Sequence, residues 1–217
     1  MKKPRLKICC ISSIDEARIA IDYGASALGL VGNMPSGPGV IGDALIYQIA
    51  KTIPPPISTF LLSSETKAQD IISHYKRANT TTIQIVDALE KSEYEIIRTE
   101  LPSVKLVQVI HVIDDHSVKE AIEISNFVDA ILLDSGNPNL LVKELGGTGR
   151  THNWDLSREI KNAISIPLFL AGGINKDNVK QAIETVEPFG IDLCSSVRTD
   201  GKLDPQKLKD FFNVIDN

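Results

Sequence analysis

Short apolar runs alternate with longer stretches in which apolar positions recur at helical spacing, from one end of the chain to the other. Residues 6–10 open as a strand, and residues 14–23 follow as a helix with Ile14, Ala17 and Ile21 on one face and Gly24 as its stop. A second strand, 27–31, leads to a helix at 43–51, closed by Pro54-Pro55-Pro56. Strands at 57–62, 81–85 and 104–110 alternate with helices at 66–75, 89–100 and 117–125. Residues 127–133 form a nearly continuous apolar run that ends on Asp134, the pattern of a parallel strand covered on both faces. A helix at 155–163, a strand at 167–171, a helix at 176–186, a strand at 190–194 and a last helix at 205–214 complete the pattern.

Eight strand–helix units in this length predict a (β/α)8 TIM barrel, with residues 1–217 as one domain. Hydrophobic residues make up 42% of the chain, enough for a sizeable core, and the net charge of −5 implies no basic face. Nucleic acid is therefore not expected as a partner. Nor is a membrane, since no apolar run reaches spanning length and no signal-type segment follows the basic residues Met1 to Arg5. The three cysteines, Cys9, Cys10 and Cys194, lie inside apolar strands and cannot all pair, which points to a reduced, cytoplasmic setting. No Cys/His cluster has structural zinc spacing. The longest segment without periodicity is 135–153, whose Gly-Gly-Thr-Gly content predicts a mobile lid or a loop that approaches a ligand closely.

In such a barrel the chemistry belongs at the carboxyl ends of the strands. Cys9 falls there, as a base or nucleophile if its pKa is lowered, otherwise as a small buried hydrophobe. Asp134 falls roughly opposite, as an acid or as a turn and capping residue. Gly172-Gly173 after the seventh strand and Ser195-Ser196 after the eighth lie where these barrels often bind phosphate through backbone N–H groups, although both could be plain tight turns. A thiol and a carboxyl facing a phosphate seat suit acid–base work on a phosphorylated sugar, one group removing a carbon-bound proton and the other protonating an oxygen. That chemistry needs no metal or cofactor.

These motifs resemble the phosphoribosylanthranilate isomerase family over nearly the whole chain. Lys7-Ile8-Cys9 with Ile11 is similar to its opening Lys-Ile-Cys-Gly-Ile/Leu, and Leu132-Leu133-Asp134-Ser135 to its Leu-Leu-Asp-Ser/Ala. Gly146-Gly147-Thr148-Gly149-Arg150-Thr151 with Trp154 resembles its Gly-Gly-Thr-Gly-Lys-Thr-Phe-Asp-Trp. Leu170-Ala171-Gly172-Gly173-Ile174, and Pro188, Gly190, Asp192 and Ser195, follow two further family patterns. The resemblance implies an Amadori rearrangement of N-(5'-phosphoribosyl)anthranilate in tryptophan biosynthesis, by a monomer or homodimer whose partner is a small phosphorylated sugar. It makes Asp134 the general acid and Cys9 the general base. Gly172, Gly173, Ser195 and Ser196 would hold the phosphate, and the loop carrying Gly146, Gly147 and Thr148 would close near the sugar.

The chain departs from the family where the aromatic acid would sit. Gly39 takes the place of an Arg that can hold the anthranilate carboxylate, and a guanidinium fork has no equivalent in Gly. Cys10 stands where the family has Gly, Gln84-Ile85-Val86-Asp87 replaces Gln-Leu-His-Gly, and Ser196 and Arg198 take the places of Gly and Glu. Arg150 and Arg198 are the replacement cations on offer, unless they are solvated surface charges. Two alternatives remain at this stage: an isomerase of another phosphoribosyl amine, and a catalytically silent barrel that binds a sugar phosphate. The histidine-pathway isomerase barrel is a poorer match, because the two halves of this chain do not match and position nine is Cys.

Overall fold

The computed structural model describes residues 3–136, 149 and 151–216. Eight strands, β1 (Arg5–Ile8), β2 (Ala27–Val31), β3 (Ser58–Ser63), β4 (Thr82–Ile85), β5 (Lys105–His111), β6 (Ala130–Asp134), β7 (Leu168–Leu170) and β8 (Gly190–Leu193), close into a barrel in sequence order. Every neighbouring pair is parallel, and β8 returns to β1 with Lys7 opposite Asp192. Between them run α1 (Ile14–Asp22), α2 (Asp43–Thr52), α3 (Ala68–Ala78), α4 (Lys91–Glu100), α5 (His116–Ile124), α6 (Trp154–Ala163), α7 (Val179–Val186) and, last, α8 (Pro205–Asp216). No helix among the described residues is long and apolar enough to cross a membrane.

The near-continuous apolar strands follow from burial on both faces. Ile8, Leu28, Leu30, Leu61, Ile83, Ile131 and Leu133 point outward into the layer shared with the helices. Ala27, Val31, Phe60, Leu62, Val107, Val109, Leu132 and Phe169 alternate with them and fill the barrel. Interior space is tight: a Cβ on Gly190 would lie 2.6 Å from the Phe169 ring, so a glycine there lets the phenyl group cross the barrel.

The element boundaries differ from the sequence reading at the mouth. β1 and β8 stop before Cys9, Cys10 and Cys194, and Cys10 takes a left-handed φ of 63°, which ends the strand ladder. α7 starts at Val179, not at 176, because Asn175 and Asn178 make a side-chain-bonded turn instead: Asn175 N donates to Asn178 Oδ1 at 2.8 Å, and Asp177 N to Asn175 Oδ1 at 2.9 Å. The sequence reading also missed the hairpin of β9 (Arg198–Thr199) and β10 (Lys202–Leu203). Its Asp200-Gly201 turn has φ of 50° and 76°, the type I′ geometry for which Asp-Gly is the usual signal. Most of the expected 135–153 loop lies outside the described residues.

Candidate active site

Cys9, Asp134, Gly149, Gly172, Gly173, Ser195 and Ser196 line one cavity at the carboxyl end of the barrel, of about 700 Å³ including space open to solvent. The structure thus brings together six of the residues singled out from sequence, four of them from the paired turns. Gly146, Gly147, Thr148 and Arg150 lie outside the described residues.

Cys9 is buried on the interior face of β1's end, two residues above Lys7, so strand alternation puts both in the barrel. Lys7 is completely buried, its Nζ 2.8 Å from Asp192 Oδ2 and 5.4 Å from the centre of the Phe60 ring. Gly29 makes room for this group: a Cβ there would lie 2.7 Å from Cys9 Sγ and 3.2 Å from Lys7 Nζ. Burial opposes the Lys7 charge, but Asp192 and the neighbouring thiols outweigh it and hold its pKa above the usual lysine value. The Cys9 thiol is pushed down, by a hydrogen bond from Cys10 and by the Lys7 ammonium, against burial and the Asp192 charge. Sequence reasoning passed over Lys7 and Asp192. Their signal was there, as charged residues on the inward parity of two otherwise apolar strands.

Asp134 ends β6 with 8% of its surface exposed. Burial raises its pKa, although the Ser135 N–H donates to Oδ1 at 2.7 Å and Lys7 opposes the rise. A thiol pushed down and a carboxyl pushed up, on one cavity, are the arrangement that lets one act as base while the other acts as acid.

The arc of the mouth between Asp134 and Cys9 is built from two turns, one after β7 and one after β8. Gly172 and Gly173 have φ of 76° and 63°, and a Cβ on Gly172 would lie 2.9 Å from Ser135 N. Asn178 Nδ2 and Asn175 Nδ2 both donate to Gly173 O, at 3.0 and 3.2 Å, which fixes that turn. After β8, Ser195–Val197 forms a single 3-10 turn, and Ser196 Oγ is buried with no hydrogen-bond partner among the described residues. Backbone turns of this kind can take an anion that lacks its water shell.

Residues 6–214 match the family model for N-(5'phosphoribosyl)anthranilate (PRA) isomerase. The chain belongs to this family. An N-(5'-phosphoribosyl)anthranilate isomerase of Methanosarcina acetivorans is 30% identical over 226 residues, covering 98% of this chain and 93% of that protein. The crystal structure of the phosphoribosyl anthranilate isomerase of Thermotoga maritima aligns with a TM-score of 0.82 at 26% identity, over 98% of both chains. That from Thermococcus kodakaraensis gives 0.82 at 25% identity, over 99% of both.

Within the phosphoribosylanthranilate isomerase pattern, the two departures Cys10 and Gly39 touch each other. A Cβ on Gly39 would lie 2.5 Å from Cys10 Cβ, and Gly39 has a φ of 78°. The side chain gained at position 10 is thus accommodated by the side chain lost at position 39. Arg198 is neither the solvated charge nor the free carboxylate ligand that the sequence allowed. It is 8% exposed, and its guanidinium bonds Glu16 at 3.2 Å and the carbonyl oxygens of Cys9 and Cys10 at 3.0 and 2.6 Å. Both its terminal nitrogens are taken by protein groups, while Nε has no partner among the described residues, and it holds the backbone that carries Cys9.

Proposed function

We propose that this chain isomerises N-(5'-phosphoribosyl)anthranilate to 1-(2-carboxyphenylamino)-1-deoxyribulose 5-phosphate, a step of tryptophan biosynthesis, in a cytoplasmic setting that suits its three free thiols. The observation that carries the reading is the thiol–carboxyl pair, Cys9 and Asp134, on one cavity with the Gly172-Gly173 and Ser195-Ser196 turns. Asp134, whose pKa burial raises, donates a proton to the furanose ring oxygen, and the ring opens to an imine. Cys9, as thiolate, takes the C2' proton, and the resulting enolamine tautomerises to the ketose. The two turns hold the phosphate. The apolar wall of Val31, Met34, Pro38 and Leu62 receives the aromatic ring. With Gly39 in the Arg place and Arg198 committed to Glu16, Arg150 is the cation assigned to the anthranilate carboxylate. The active unit is a monomer or a homodimer.

The test is turnover of freshly made substrate, followed as loss of anthranilate fluorescence. Cys9→Ala and Asp134→Asn each abolish turnover and leave ribose 5-phosphate binding intact. Arg150→Ala raises KM about a hundredfold, the worth of one charged hydrogen bond. A folded, phosphate-binding protein with no turnover refutes the assignment.

A further inference from the structure

The mechanism leaves two thiols unused, and they meet. Cys10 Sγ and Cys194 Sγ lie 2.9 Å apart, both on the cavity wall. The scaffold holds them there. β1 and β8 are hydrogen-bonded neighbours, and Cys9 N donates to Leu193 O at 2.7 Å just below the pair. Cys10 is buried, with the Pro38 carbonyl 3.5 Å from its sulfur, whereas Cys194 is half-buried and open to a small reagent. A disulfide needs an S–S distance of about 2.05 Å, so bond formation requires a closure of under about 1 Å.

We infer that Cys10 and Cys194 are a redox-active dithiol whose oxidation weakens the phosphate seat. The oxidant is a small-molecule disulfide. The Cys194 thiolate attacks one of its sulfurs, a mixed disulfide forms, and one small thiolate leaves. The Cys10 sulfur then attacks the Cys194 sulfur, the Cys10–Cys194 bond forms, and the second small thiolate leaves. The two protons lost by the protein end on the two released thiols, and the two electrons reduce the reagent. The bond draws the β8 end toward β1. In the barrel order β1 lies on the far side of β8 from β7, so Ser195 and Ser196 move away from Gly172 and Gly173. This consequence rests on reading those turns as the phosphate seat.

The experiment incubates the whole protein with oxidised glutathione, counts thiols, maps linked peptides and measures ribose 5-phosphate affinity by calorimetry. The expected result is a Cys10–Cys194 peptide pair, Cys9 still alkylatable, and affinity about tenfold to a hundredfold weaker, as for a displacement approaching 1 Å. Dithiothreitol restores it, and Cys194→Ser gives the same affinity before and after the oxidant. Three intact thiols, a link through Cys9, or a Cys10–Cys194 link with unchanged affinity overturns the inference. Turnover is not read, so a chain inactive on N-(5'-phosphoribosyl)anthranilate still gives a clear outcome for the dithiol. A reduced protein that binds no ribose 5-phosphate refutes the phosphate seat, and the peptides alone then decide whether the dithiol forms.

Discussion

Replacing Lys7 by Met removes the positive charge on which the barrel interior depends. At the 2.8 Å separation from Asp192, Coulomb attraction is on the order of 6 kcal/mol at an effective dielectric of about 20. The cost of burying both ions offsets much of that, and so the pair itself is worth little. Breaking it is different, because Asp192, whose pKa burial already raises, is left buried without its cation and must take up a proton or stay as an unpaired charge, with Oδ1 lacking a partner among the described residues. The expected loss is about 3–5 kcal/mol. Lys7's pKa is raised by folding, so its contribution is complete below the unfolded lysine value and is lost only as pH climbs through the folded one; pH 7 shows the full effect. Urea unfolding at pH 7 measures it, with Lys7→Met/Asp192→Leu as the companion. The double variant should recover most of the loss. A single-variant cost under about 1 kcal/mol, the range of exposed pairs, would refute the reasoning, as would a double variant no more stable than the single. Alkylation of Cys9 gives a second readout, and its pH midpoint should move up in Lys7→Met.

Gly29→Ala places a Cβ against Cys9 Sγ and should lower kcat about a hundredfold with KM for the substrate little changed, because the proposed base is displaced and the proposed phosphate turns are not. Gly39→Ala should cost about 2 kcal/mol in urea unfolding, and adding Cys10→Gly should return the part due to the Cys10 contact, leaving about 1 kcal/mol of left-handed strain; equal costs in the two backgrounds would refute the contact. Burial lowers the His152 pKa to about 4, so the unfolded chain binds a proton between about pH 6.5 and 4 that the folded one does not. Stability should therefore fall as pH drops through that window, by up to about 3 kcal/mol, and His152→Gln should flatten this part of the profile. An unchanged slope between pH 6.5 and 4 in that variant would count against the burial argument.

The barrel was legible because each strand is buried on both faces and each helix on one, and those two patterns differ in period. Cys9 and Asp134 were legible because a polar group at the end of an apolar run is conspicuous. Arg198 was not, because its partner Glu16 is 182 residues away in α1, and no local pattern reports that they meet. Lys7 and Asp192 were each visible as a charge on the inward parity of an apolar strand, but their pairing across 185 residues was not. Residues 176–178 read as the start of a helix, since they carry the right composition and only the side-chain bonding of Asn175 and Asn178 to the backbone decides against it. Cys10 and Gly39 stand far apart in the sequence, and only the structure shows that they share one space.

The pairs Lys7–Asp192 and Glu16–Arg198 join residues 185 and 182 positions apart, so they set the order in which this molecule is assembled. During synthesis the first strand and helix emerge with a lysine that has no local partner and a glutamate that Ser12 answers only in part. Both stay in water until the last units arrive, and closing loops of that length costs about 4–5 kcal/mol of chain entropy. β1 has β2 as an early partner, but Lys7 and Glu16 meet these charged partners only once β8 and the hairpin after it exist. Partly made chains hold their apolar edge open until then, which is the stage at which a chaperone would be needed. The same closure that completes the barrel pairs the Lys7 ammonium with Asp192 beneath Cys9, so the surroundings of that thiol are finished only when the fold is.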